Sequence, residues 1–184
     1  MTINLSTIDA YRAAIAALPV ADQTAAALAT VRQSQLTKPA GSLGRLEDIA
    51  IWIASWQGVE KPQLNAPSCL VFAGNHGVAA LGVSAFPAEV TVQMVGNFAA
   101  GGAAINQLTA AAGASLDVIA LDLDNPTNDF TLGPAMSVEE TLDAMAQGAA
   151  AIPNDADILL LGEMGIANTT AAAAIGMATL GGVA

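Results

Sequence analysis

A carboxylate, two glycines and an Asn-Thr-Thr run follow one short apolar stretch in Asp157-Ile-Leu-Leu-Leu-Gly-Glu-Met-Gly-Ile-Ala-Asn-Thr-Thr170. The pattern predicts a strand, then a tight loop holding Gly162, Glu163 and Gly165, then an Ala-rich helix opening at Asn168, Thr169 and Thr170. Open α/β proteins place ligands at such turns, beyond the carboxyl ends of their strands. The backbone N–H groups of Gly165, Ile166, Ala167 and Asn168 could cradle a phosphate at the positive end of that helix. Thr169 and Thr170 could donate to its oxygens. The same residues serve equally as a sharp turn and a helix cap. Glu163 is harder to assign to the turn alone: an acid in an apolar strand-end loop must be solvated, paired or bound to ligand hydroxyls.

Three further constellations could carry chemistry. In Gly74-Asn-His-Gly77, at the end of the run Cys69-Leu-Val-Phe-Ala73, His76 could act as a base or bond a ligand, while Asn75 and the glycines could simply build the turn. Phe86, Val90 and Met94 recur at helical spacing, a pattern usual for core. If that face lines a cleft instead, Phe86 and Met94 suit a flat aromatic ligand, and Gln93 or Ser84 could bond a ring nitrogen. Lys38-Pro-Ala-Gly-Ser-Leu-Gly-Arg45 holds much of the positive charge and could touch an anion or merely link two helices. Asp122, Asp124 and Asp129 lack the spacing of a calcium loop and read as a solvated acidic segment.

Charge narrows the choice. Of 184 residues, five are basic and sixteen acidic, and no Lys or Arg follows Lys61. Eleven acids beyond that point face no cation in sequence, which argues against nucleic-acid binding through phosphates. Hydrophobic residues form 54% of the chain and charged ones 11%, so a packed domain is expected rather than a disordered tail. The long uncharged segments, residues 98–115 and 169–184, lack the Leu/Ile/Phe density of a membrane span. The amino terminus has neither a basic flank nor an apolar stretch, so no signal peptide is read and a cytoplasmic setting is expected. One cysteine, Cys69, and one histidine make no metal cluster, and a buried, inert thiol is expected.

The elements that must position these residues follow from spacing. Apolar periodicity predicts two helices broken at Pro19 and a third over residues 46–56. Strands are expected at residues 69–73, 115–121 and 157–161. Helices are expected at residues 87–99, 101–112 and 137–152, the last opened by the capping box Ser137-Val-Glu-Glu140. Strands alternating with helices imply a mainly parallel sheet, an α/β fold. Residues 1–60 read as a helical segment of a smaller domain and residues 61–184 as the first half of an α/β nucleotide-binding domain. Three apolar strands with an uncovered last edge would make a poor finished sheet. The chain is therefore expected to be cut short rather than completed by another chain.

In order, Lys38-Pro-Ala-Gly-Ser-Leu-Gly-Arg-Leu-Glu47, Phe72-Ala-Gly-Asn-His-Gly-Val78, Gly82-Val-Ser-Ala-Phe-Pro87, Val90-Thr-Val-Gln-Met-Val-Gly-Asn-Phe98, Gly101-Gly-Ala-Ala-Ile105, Gly133-Pro-Ala-Met-Ser137 and Gly162-Glu-Met-Gly-Ile-Ala-Asn-Thr-Thr170 resemble the nicotinate-nucleotide–dimethylbenzimidazole phosphoribosyltransferases. Each motif is weak alone; the ordered series is specific. The resemblance implies a Rossmann-like parallel sheet with a smaller helical domain, assembled as a homodimer. It also implies transfer of phosphoribose from nicotinate mononucleotide to 5,6-dimethylbenzimidazole in cobalamin lower-ligand synthesis, with no metal or cofactor. By position, Glu163 would hold the ribose region. Gly165, Ile166, Ala167, Asn168, Thr169 and Thr170 would hold the phosphate, and Phe86, Gln93 and Met94 would line the base pocket. Asn75 stands where many members have Asp. The family's general base, a Glu, and a phosphate-contacting Lys lie in its C-terminal half. No catalytic residue is therefore assigned here, and the 184-residue chain alone is expected to be inactive and of low stability.

Overall fold

The computed structural model describes residues 6–181. The readings of the first five residues as no leader, and of the last helix running into the final Gly-Val-Ala, lie outside the described residues. Helix α1 (Ile8–Ala16) opens on Thr7, whose hydroxyl accepts the Ala10 N–H at 3.1 Å. Pro19 separates it from α2 (Gln23–Gln35), where the Asp22 carboxylate accepts the N–H groups of Thr24 and Ala25 at 2.8 and 3.0 Å. The Asp22 N–H in turn donates to the Ser55 carbonyl, pinning α2 to α3 (Arg45–Gln57). Ala25, Ala29, Ile53 and Ala54 form the buried seam of this helical segment.

Strands β1 (Pro67–Ala73), β2 (Ser115–Ala120) and β3 (Ile158–Met164) form one parallel sheet in the order β2-β1-β3. The α/β expectation holds. The central strand has neighbours on both sides, and accordingly Ser68, Cys69, Leu70, Val71 and Ala73 are all buried. Burial also pushes the Cys69 thiol up, keeping it protonated and inert. The edge strand β3 leaves Leu161 70% exposed, and β2 is only partly covered.

Between β1 and β2 run α4 (Glu89–Ala99) and α5 (Ala104–Ala112), both packed on β2. The expected start of α5 at Gly101 is corrected. Gly101 and Gly102 turn the chain, and the Asn106 side chain bridges the Ala103 N–H and the Phe98 carbonyl, so the helix begins after them. Helix α4 likewise begins after Pro87, whose carbonyl accepts the Val90 N–H in a preliminary turn.

Helix α6 (Val138–Ala150) shows the expected capping box. Ser137 Oγ accepts the Glu140 N–H at 3.1 Å, and Glu140 Oε2 accepts the Ser137 N–H at 2.7 Å. Ser137→Ala is expected to cost about 1 kcal/mol, read as a lower urea midpoint with an unchanged slope. The Ser137 backbone N–H foremost, and the Ser137 hydroxyl after it, hold the Glu140 carboxyl below its ordinary 4.5. Its share of stability is present above that value and fades as pH falls through the lower folded-state value. Helix α7 (Asn168–Leu180) follows β3 and has no buried residue.

Candidate functional site

The carboxyl ends of β1 and β3 meet in one corner. The Gly74 N–H donates to the Met164 carbonyl at 3.0 Å, and the chain then turns through Gly165, Ile166 and Ala167 into α7. These three turn residues are buried. A Cβ on Gly165 would collide with the Gly74 carbonyl and stand 3.1 Å from His76 Nε2, so only glycine lets the two strand ends approach this closely. Ala167 adopts a left-handed φ of 71°, a costly conformation for a residue with a Cβ and one that recurs at ligand sites.

Two sequence expectations are corrected here. Gly162 and Glu163 belong to β3 rather than to a loop, because pairing with β1 continues through Val71↔Gly162, Phe72↔Glu163 and Ala73↔Met164. Ladder pairing outweighs the turn tendency of Gly162. The helix is also capped differently. The N-cap is Ala167, without a side-chain bond, while Asn168 is the first helical residue.

Asn168 instead clamps the carboxylate. Its Nδ2 donates to Glu163 Oε1 and Oε2 at 2.6 and 2.7 Å, and its Oδ1 accepts the Thr169 N–H at 2.7 Å. The four turn amides are not equivalent. Ile166 N–H donates to Thr91 Oγ1 on α4, and Asn168 N–H closes the turn on the Gly165 carbonyl, both at 3.1 Å. Among the described residues, the amides of Gly165 and Ala167 have no protein partner. The expected four-amide cradle therefore narrows to these two, with the exposed Thr169 and half-buried Thr170 beside them.

His76 closes the corner from β1. Burial holds its imidazole below the ordinary 6.5, while the Glu163 carboxylate pulls it upward. An NMR titration of His76 is therefore expected to have its midpoint below 6.5, and Glu163→Gln should move it lower still. The unfolded chain takes up this proton first. The contribution of His76 to stability is thus full above about 6.5 and is lost as pH falls through the folded value. A midpoint above 6.5 would contradict this geometry.

The corner is strapped by the segment after β2. Asn75 Nδ2 donates to the Leu123 carbonyl at 2.9 Å, the Thr127 N–H donates to the Asn75 carbonyl, and a Cβ on Gly77 would strike the Thr127 carbonyl. Asn75 thus works as a buried tie. Asp122 and Asp129 are taken up by local turns, accepting from Asn125 and Thr131 respectively.

The remaining candidates lie apart from one another. Gln93 is exposed and Met94 half-buried on α4, just beyond Thr91, while Phe86 precedes the helix and is 64% exposed. The expectation that Phe86, Val90 and Met94 share one helical face is corrected, because the helix starts too late to include Phe86. Lys38 is not free for an anion: its ammonium lies 2.6 Å from Glu47 Oε1, which also accepts the Leu43 N–H. Both bonds, the Lys38 one foremost, hold the Glu47 carboxyl low. Arg45 is exposed beside Asp48. Sequence reasoning missed Thr91 and the Asn168 clamp. A threonine set in an apolar helix was the available signal for the first.

A parallel three-stranded sheet, with Glu163 near the end of β3 and a glycine-lined turn just beyond it, defines an α/β protein. The phosphoribosyltransferase family model matches residues 18–184. The chain is 58% identical over 182 residues to the nicotinate-nucleotide–dimethylbenzimidazole phosphoribosyltransferase of Ruegeria sp. (strain TM1040), covering 99% of this chain and 54% of that protein. It is 56% identical to the protein of the same name from Cereibacter sphaeroides (strain ATCC 17025 / ATH 2.4.3), covering 100% and 54%. The crystal structure of the enzyme so named from Thermus thermophilus superposes with a TM-score of 0.78 at 42% identity, over 87% of this chain and 54% of that one. The chain belongs to the nicotinate-nucleotide–dimethylbenzimidazole phosphoribosyltransferase family. It spans about half the length of the curated relatives it matches. Among the described residues no helix is long and apolar enough to cross a membrane.

Proposed function

We propose that this chain supplies the mononucleotide-binding half of a phosphoribosyl transfer from nicotinate mononucleotide to 5,6-dimethylbenzimidazole. The products are α-ribazole phosphate and nicotinate. One observation carries the reading: the turn between β3 and α7 offers unpartnered amides at Gly165 and Ala167, with Glu163 held next to it by Asn168. The amides and the hydroxyls of Thr169 and Thr170 receive the phosphate, and Glu163 receives the ribose hydroxyls. Phe86, Gln93 and Met94 contribute to the base pocket, and His76 stays neutral beside the ribose. In the transfer, one ring nitrogen of the benzimidazole loses its proton to a carboxylate base. The other attacks the anomeric carbon, and the bond to nicotinate breaks with inversion. The resemblance puts that base outside this chain.

Magnitudes support a shared task. A helix terminus stabilises an anion by about 0.3–1 kcal/mol when exposed and up to ~2 kcal/mol when partly buried. Even millimolar affinity requires roughly 4 kcal/mol. The hydroxyl and ribose contacts must supply the rest, or a cation from elsewhere must add to them. The lack of any Lys or Arg after Lys61 favours a second reading, a non-catalytic module that binds the mononucleotide without turning it over. A cytoplasmic setting is part of the same proposal; a working homodimer belongs to it too and rests on the resemblance. So does the division into residues 1–60 and 61–184, which the placing of α1, α2 and α3 ahead of the sheet supports.

Calorimetry of the purified chain with nicotinate mononucleotide, followed by a turnover assay with dimethylbenzimidazole, separates the readings. Binding with turnover only when the C-terminal half of a relative is added supports the half-site. Binding that yields no turnover even then supports the module. No binding at all removes both.

A further inference from the structure

We propose that Thr91 is a positioning residue that sets the shape of the phosphate-facing turn from the helix opposite it. The proposal rests on the mononucleotide reading of the corner and adds a residue that the reading does not use. Thr91 is fully buried, yet it sits in α4, where a β-branched apolar residue would pack equally well. What valine could not do is accept a hydrogen bond. Thr91 Oγ1 takes the buried N–H of Ile166, 75 positions away in sequence, at 3.1 Å. Without that oxygen the Ile166 N–H would be buried and unmet, a state that folded chains avoid.

The anchored residue is the middle of the turn. Before it, Gly165 has no room for a Cβ against Gly74 and His76; after it, Ala167 is held at a φ of 71°. An unfavourable backbone conformation persists only when its surroundings over-determine it. The bond to the Thr91 hydroxyl is the one hydrogen bond to a side chain that the three turn residues make among the described residues. By drawing the Ile166 N–H inward it leaves the Gly165 and Ala167 amides as the pair open to an anion. It also fixes the turn to α4, the helix that carries Gln93 and Met94.

The test compares Thr91→Val, which keeps the volume, with Thr91→Ser, which keeps the acceptor. Amide hydrogen exchange by NMR reads the anchor directly. Exchange at Ile166 is expected to rise roughly ten-fold or more in Thr91→Val and to stay near the parent rate in Thr91→Ser, with both variants folded by circular dichroism. Titration with nicotinate mononucleotide is expected to be roughly ten-fold weaker in Thr91→Val and within about two-fold of the parent in Thr91→Ser. Unchanged Ile166 exchange in Thr91→Val overturns the proposal, as does parental affinity in that variant or equal loss in both. If the parent chain binds no mononucleotide, the functional reading fails. The exchange arm then still decides whether Thr91 holds the turn.

Discussion

Gly165→Ala is expected to abolish measurable binding of nicotinate mononucleotide and to lower stability by roughly 1–3 kcal/mol. The added methyl group has nowhere to go. Its carbon would overlap the Gly74 carbonyl, backbone just past the central strand that is tied to Met164 and cannot swing aside as a side chain can. His76 stands 3.1 Å away on the same side, so the turn must move outward. Outward movement pulls Ile166 from Thr91 and shifts the amides of Gly165 and Ala167 together. Glycine at position 162 offers a control. A Cβ there meets the Val71 side chain at 3.2 Å, and a side chain can yield a few tenths of an ångström. Gly162→Ala is therefore expected to cost less than Gly165→Ala and to retain binding. Calorimetry and urea denaturation of the two variants check both parts, and parental binding by Gly165→Ala would contradict the account.

Leu70→Ala is expected to be the most damaging single change to stability, about 2–5 kcal/mol. Leu70 is fully buried at the middle of β1, paired with Asp117 on β2 and Leu161 on β3. Truncation there removes apolar contact from the strand that both neighbours share, and the surrounding backbone can collapse only partly into the space. A marginal domain has about 5–15 kcal/mol in total, so the variant should unfold at far lower urea. Leu161→Ala is the contrast: its side chain is 70% exposed, and the expected loss is small. Equal midpoints for the two variants would mean that β1 is not the centre of the sheet.

The fold was legible wherever local chemistry and tertiary packing agree. The buried run in β1, the Ser137–Glu140 box and the break at Pro19 each combine a composition signal with a local physical reason, and each lies where the spacing puts it. Strand order was not legible, because periodicity says which residues are apolar but not which strand lies between the others. The misread loop at Gly162 and Glu163 has the same origin. Nothing local extends β3 to Met164; pairing with Val71, Phe72 and Ala73 does. At the candidate site, glycine and acid types pointed to a corner in which the structure brings Glu163, Gly165 and His76 together. The division of labour among the amides did not show, because it depends on contacts between residues far apart in sequence. Ile166 meets Thr91 from another element altogether, and Asn168, read as a cap, serves Glu163 instead. For Lys38 the sequence left an anion contact and a plain link equally open; its partner Glu47 is close in sequence, and the pair closes its own loop.

The most direct measurement is a crystal of this chain soaked with nicotinate mononucleotide. The account predicts phosphoryl oxygens within about 2.7–3.2 Å of the Gly165 and Ala167 amides and the ribose hydroxyls on Glu163. Phosphate density seated anywhere other than at the turn between β3 and α7 would contradict it.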